Sequence, residues 1–305
     1  MSLNSKAVLI KVDFSIPSGR KVDKAISNKV ADDYNVSGGR ASSGNFNKIA
    51  IAQKYFKPFV DIKRMVDNAV RQNTLPYLHE SDNTFILPNS KIMEMTKIIR
   101  DAEKEWEIEK DALVNSKYDE AMEEAKQRLN DSGGMFKYSD YPDVNQFVSK
   151  FKMGKFMRPI PDIHGLEFLT NVSELEAESI KKEVKQSMDD SLQSSMQCLY
   201  DKIHTEMDEL IDILSKDNPR IFKSRIDGLN QTIRMIRELN FTNDQVLEDV
   251  RNYMVEHLLL TESSLTGNRE RQDETIADAR YVKDMLDGKN TPSLDVMEKI
   301  YGYGS

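Results

Sequence analysis

Over nine residues, Lys150-Phe151-Lys152-Met153-Gly154-Lys155-Phe156-Met157-Arg158, four cations and two phenylalanines interleave with no acid among them. Cations at this density neutralise phosphates, and exposed rings stack on unpaired bases, the combination that binds single-stranded nucleic acid. Lys150, Phe151, Lys152, Lys155, Phe156 and Arg158 are therefore the candidate contacts for a nucleic acid or another anionic partner. A plainer reading outweighs it: both rings anchor a core while the lysine stems run along it with their heads in water. No broader basic stripe extends the segment.

Other residues capable of chemistry do not converge. His79, His164, His204 and His257 are far apart, with no i, i+4 pair and no cysteine beside them. A zinc site needs converging nitrogen or sulfur ligands, so no metal is expected. The stretch Ser37-Gly38-Gly39-Arg40-Ala41-Ser42-Ser43-Gly44 could present backbone N–H groups to an anion. It lacks the Gly-Lys-Ser/Thr ending of a phosphate loop, and no clear strand leads into it. It reads as a connector. Paired acids such as Asp189-Asp190 belong to a helix already rich in acid and read as a solvated face. No catalytic residue and no cofactor is expected.

The elements that would carry these residues are mostly helical. From Pro88 to Gly133 and from Gly165 to Pro219 the chain contains no intervening glycine or proline, and apolar residues recur at three- and four-residue steps. The first run predicts a helix from about Ser90 to Asn130 along Ile92, Met95, Ile99, Ala102, Trp106 and Leu113, stopping at Gly133-Gly134. The second opens at a capping box, Ser173 with Glu176, and carries one stripe from Ile180 to Leu214. Pro219 is expected at a first helical position, and Thr242 with Gln245 as a second capping box. Further helices should break at Gly267, close at Gly288 and restart at Thr291-Pro292. Ala7 to Ile16 alternates as a half-buried strand, and Pro76-Tyr77-Leu78-His79 with Thr84-Phe85-Ile86-Leu87 reads as a short antiparallel pair. A helix face runs from Phe46 to Val70 with a restart at Pro58, and 135–161 reads as an aromatic, proline-rich hinge.

Composition bounds the class. With 39% hydrophobic and 31% charged residues, the chain suits long helices with exposed faces better than an enclosed core. A single cysteine, Cys198, excludes an internal disulfide framework and fits a reducing compartment. No signal peptide or membrane-length apolar run is present, so a cytoplasmic protein without membrane contact is expected. The net charge of −8 is uneven: residues 1–100 carry 16 Lys+Arg against 9 Asp+Glu, whereas 101–131 carry 5 against 11. Such asymmetry suits head-to-tail self-association or an anionic partner for the first hundred residues, and scattered solvated charge explains it about as well.

Several short motifs resemble an uncharacterised family of phage and bacterial proteins. They are the strand Val8 to Ile16 entering Ser18-Gly19-Arg20, a helix ending near Arg71, and Pro76-Tyr77-Leu78 leading to Ile86-Leu87-Pro88. A helix bearing Trp106 and the pair Tyr141-Pro142 complete the set, within residues 8–170. That family is often encoded beside a MoxR-type AAA+ ATPase and a cobaltochelatase-like von Willebrand A protein. The resemblance implies a phage-type accessory protein with a AAA+ ATPase as candidate partner. It brings no catalytic residues.

The expectation is a mainly α protein. A small α/β head of two or three short strands (1–90) precedes a long helix with the hinge (91–165) and a helical bundle (166–305), the long helices forming an elongated hairpin or bundle. Its expected role is a non-enzymatic adaptor or scaffold that binds other proteins and itself. The alternatives are a single-strand nucleic-acid binder and a hydrolase whose site is not recognisable from sequence.

Overall fold

A computed structural model of the chain describes residues 6–37, 44–77, 83–131, 134–160 and 173–288. It is mainly α with a small antiparallel sheet near the N-terminus and long helices later, as the sequence led us to expect. Its contacts divide it into two compact units that interleave in sequence. Unit 1 comprises 1–11, 70–94 and 156–305; unit 2 comprises 12–69 and 95–155.

The four-stranded sheet has the order β4-β5-β1-β6, with β1 at Ala7–Ser15, β4 at Leu75–Pro76, β5 at Phe85–Pro88 and β6 at Lys152–Pro159. Ala7 faces Pro88 and Ile10 faces Phe85, while Leu75 faces Ile86, so the expected antiparallel hairpin lies beside the N-terminal strand. Strand β6 is an addition to the expected strands and falls where irregular hinge structure was expected. Its eight residues have one edge unpaired among the described residues and are mostly exposed, which is why no alternation betrays them. The turn expected between the arms of the hairpin, Glu80 to Asn83, lies outside the described residues except for Asn83, as do residues 38–43 of the Ser37 to Gly44 stretch and the helix expected to restart at Thr291-Pro292.

In unit 1, helices α6 (Glu174–Leu214), α7 (Lys223–Leu239), α8 (Gln245–His257), α9 (Glu262–Leu265) and α10 (Arg269–Leu286) enclose one core. The Ser173 hydroxyl caps α6 by accepting from the Glu176 N–H at 3.3 Å. The stripe Met196, Leu199, Ile203, Met207, Leu210 and Leu214 is buried, whereas Ile180 and Val184 nearer the start are only half-buried. Ala7, Leu9, Leu75, Tyr77 and Ile86 enter the same core from the sheet.

Two expected helix starts need correction. Pro219 is not at a first helical position: α7 begins at Lys223, four residues on, with Phe222 at its N-cap. Thr242 does not cap α8. Asn243 has φ +55°, outside the helical region, so the helix begins after Asp244, whose carboxylate accepts from the N–H groups of Val246 and Leu247. The Asn240 amide fixes that turn by bonding both the N–H and the carbonyl of Asp244, each at 2.8 Å. Thr261 with Ser264 forms a capping box instead, opening α9. Gly267 and Gly288 break the chain as expected, with φ +70° and +69°.

In unit 2, the ribbon β2 (Arg20–Val22) and β3 (Asn47–Ile49) flanks α1 (Lys24–Asp33). Gly19 has φ +65°, and a Cβ there would come within 2.5 Å of the Phe56 ring and 2.7 Å of the Ile51 carbonyl, so only glycine fits. Helix α2 (Lys57–Asn73) starts beside Pro58, whose missing N–H costs nothing in a first turn. Helix α3 (Ile92–Ala112) passes through a π-helical turn, Leu113–Lys117, into α4 (Tyr118–Asp131). Gly134, at φ +73°, ends this run as its N–H returns to the Asn130 carbonyl. The short α5 (Val144–Val148) contributes Phe147 to an aromatic core with Phe56, Phe59, Trp106 and Phe151.

Candidate functional site

Helices α2 and α3 leave an open groove of about 360 Å³ in unit 2. Its apolar surface comes from Pro58, Ile62, Met65 and Ile108, with Met65 44% and Ile108 64% exposed. Both lie off the buried stripes of their helices: Phe59, Ile62 and Val66 face inward on α2, and Ala102 and Trp106 on α3. Leaving these two large apolar side chains about half in water forgoes roughly half of the ~1.5–3 kcal/mol that full burial of each is worth.

Carboxylates rim the groove. Asp61 is held by Lys57 at 2.5 Å, which lowers its pKa below the usual carboxylate range. Glu109 is paired with Lys117 at 2.6 Å across the π-helical turn. Glu105, between them, has no ion-pair partner among the described residues. The Lys57–Asp61 pair is exposed and such pairs are weak, so an incoming cation can displace Lys57 at little cost, whereas the Lys117–Glu109 pair is part-buried. The surrounding stretch, 101–131, carries 11 acidic against 5 basic residues. The groove is therefore suited to an apolar side chain flanked by Lys or Arg.

The nine-residue basic segment is split in character. Phe151 is 2% exposed, stacked on Phe56 at 5.9 Å and against Phe59 at 4.4 Å, so its ring is not available to a base. Phe156 is 61% exposed. Lys150, Lys152 and Arg158 are exposed, and Lys155 is bonded to Glu103 at 2.9 Å. Of the histidines, His204 lies 3.2 Å from Asp287 and His257 stacks on Tyr253, while His79 and His164 lie outside the described residues. No group of three metal-ligating side chains occurs among the described residues. No described helix is long and apolar enough to cross a membrane.

The groove escaped the sequence reading because periodicity picks out buried stripes, and Met65 and Ile108 are off them. A signal was present in Glu107-Ile108-Glu109, an isoleucine set between acids on a helical face that should be polar. None of the family models, curated proteins or solved structures compared with this chain matches it.

Proposed function

We propose that this protein is a non-enzymatic adaptor whose α2–α3 groove receives a basic amphipathic segment of another protein. One observation carries the reading: an exposed apolar pair, Met65 and Ile108, bordered by Asp61, Glu105 and Glu109. Apolar anchors supply the affinity in such helix-in-groove contacts, and the charged rim selects the partner and its orientation. The phage-type resemblance makes a MoxR-type AAA+ ATPase the first partner to test, with action in the cytoplasm of a bacterial host. Self-association is the other outcome, because the first hundred residues are basic and 101–131 acidic.

The test uses a fluorescent helical peptide with leucines on one face and Lys/Arg flanking them, beside a control in which every cation is Glu. Binding of the basic peptide alone is expected, weakening as salt rises. Ile108→Arg combined with Glu105→Lys should reduce affinity at least tenfold while leaving the thermal midpoint nearly unchanged. Equal binding of both peptides, or no effect of the double substitution, would remove the groove from consideration. A mass that grows with protein concentration and falls in the double variant would identify a second copy as the occupant.

A further inference from the structure

A second cavity, of about 340 Å³, lies wholly in unit 1, and its lining has a different chemistry. Arg71 from the last turn of α2 and Lys202 from α6 both line it, and none of its described lining residues is a carboxylate. Neither cation has a hydrogen-bond or ion-pair partner among the described residues. The carboxylate nearest in effect, Glu206, is engaged by Arg225 at 3.0 Å. Burial lowers the pKa of the Lys202 amine, and the influence of Glu206 only partly opposes it. An ammonium withdrawn from water with no ion-pair partner of its own among the described residues is a costly arrangement that an incoming anion relieves.

The remaining walls fit an organic body. Leu75, Pro76 and Phe85 are apolar, and Asn83, held at φ +48°, offers an amide beside them. The Ser195 hydroxyl donates to the Pro76 carbonyl, fixing α6 against β4 and so fixing Lys202 relative to the apolar wall. The volume is at the small end of the range of about 300–1,000 Å³ for ligand pockets. Two cations with no carboxylate among the described lining residues match a dianion in charge, and a phosphate monoester supplies one on a single group. Phe85 in the lining supplies an aromatic side chain for a flat ring attached to that phosphate.

We propose that this cavity binds a small phosphate monoester with a planar apolar body, of the nucleoside monophosphate class, with Arg71 and Lys202 on the phosphate and Phe85 against the ring. The site is separate from the docking groove and does not depend on the adaptor reading.

The experiment titrates the intact protein with AMP, UMP, inorganic phosphate and succinate, following heat of binding and thermal midpoint. The mononucleotides should bind at least tenfold more tightly than inorganic phosphate and should raise the midpoint with concentration. Lys202→Met and Arg71→Met should each cost about tenfold or more in affinity. Succinate binding as tightly as the nucleotides would overturn the phosphate assignment. A second measurement needs no substitution: Cys198, the single cysteine, lines the cavity. Saturating AMP should slow its alkylation by neutral iodoacetamide at least tenfold. An unchanged rate, together with no heat of binding, would refute the site.

Discussion

Lys48 is 3% exposed in unit 2, with its ammonium 3.3 Å from Asp23 and 2.6 Å from Asp140. It also donates to the Met135 carbonyl at 2.6 Å. Asp23 has two duties: its carboxylate caps α1 through the N–H groups of Ala25 and Ile26, and it faces Lys48. The Ile26 N–H first, then Lys48, holds the Asp23 carboxyl below the ordinary carboxylate range against the opposing effect of burial. Desolvation offsets most of the attraction in such a cluster, but removing one partner leaves the others charged and buried. Lys48→Met should therefore lose about 3 kcal/mol at pH 7, measured by urea unfolding. The pH dependence distinguishes charge from packing. A depressed carboxyl contributes stability that is complete above its unfolded pKa near 4 and lost as pH falls through the folded value. In the variant the Asp23 carboxyl is without the cation that helped depress it and titrates higher, so acid relieves it. The gap between parent and variant should shrink as pH is lowered from 7 towards 4, and a constant gap would mean that lost contacts, not charge, set the cost. Nothing local in the sequence announces this cluster, because its members are 25 and 92 residues apart.

Helix α6 was legible because its cap and its stripe are local features. The run from α3 to α4 was legible only in part. Its buried positions step from Met95 through Ile99, Ala102 and Trp106 to Leu113, then jump five residues to Tyr118 before resuming at Ala121, Ala125 and Leu129. A 3.6-residue template loses the stripe at that jump, so the sequence reading ended its stripe at Leu113. The π-helical turn over Leu113–Lys117 takes up the extra residue and keeps Tyr118 on the buried face. Deleting exposed Asn115 should convert the turn to regular α-helix with both stripes aligned, and change stability by no more than about 1 kcal/mol. Deleting exposed Lys104 instead would rotate everything beyond it by about 100° relative to Met95 and Ile99. That variant should lose its cooperative thermal transition. Equal damage from the two deletions, read by circular dichroism, would contradict the view that the turn is a one-residue accommodation.

At the scale of the molecule, periodicity reveals faces but not their partners. The sequence suggested contiguous segments, 1–90, 91–165 and 166–305, whereas unit 1 draws on 1–11, 70–94 and 156–305. Its helices pack on Ala7 and Leu9 from β1, Leu75 from β4, Tyr77 just beyond it, and Ile86 from β5, all within one core. Each is at most 4% exposed. Fully burying a large apolar side chain is worth roughly 1.5–3 kcal/mol. Losing Leu9, Leu75, Tyr77 and Ile86 together therefore forfeits on the order of 6–12 kcal/mol, comparable with the whole stability of about 5–15 kcal/mol of a typical protein. A fragment of residues 156–305 contains every helix of α6–α10 and would be the natural choice for a bundle that stands alone. It should retain far-ultraviolet helicity, lose near-ultraviolet signal, bind anilinonaphthalene sulfonate and unfold without a sharp transition. Adding residues 1–94 in trans supplies the missing strands and should restore part of the cooperativity. Should the fragment alone unfold as sharply as the full chain, and at the same urea concentration, the strands are a covering on a bundle that is already complete, and the core of unit 1 is helical in energy as well as in content.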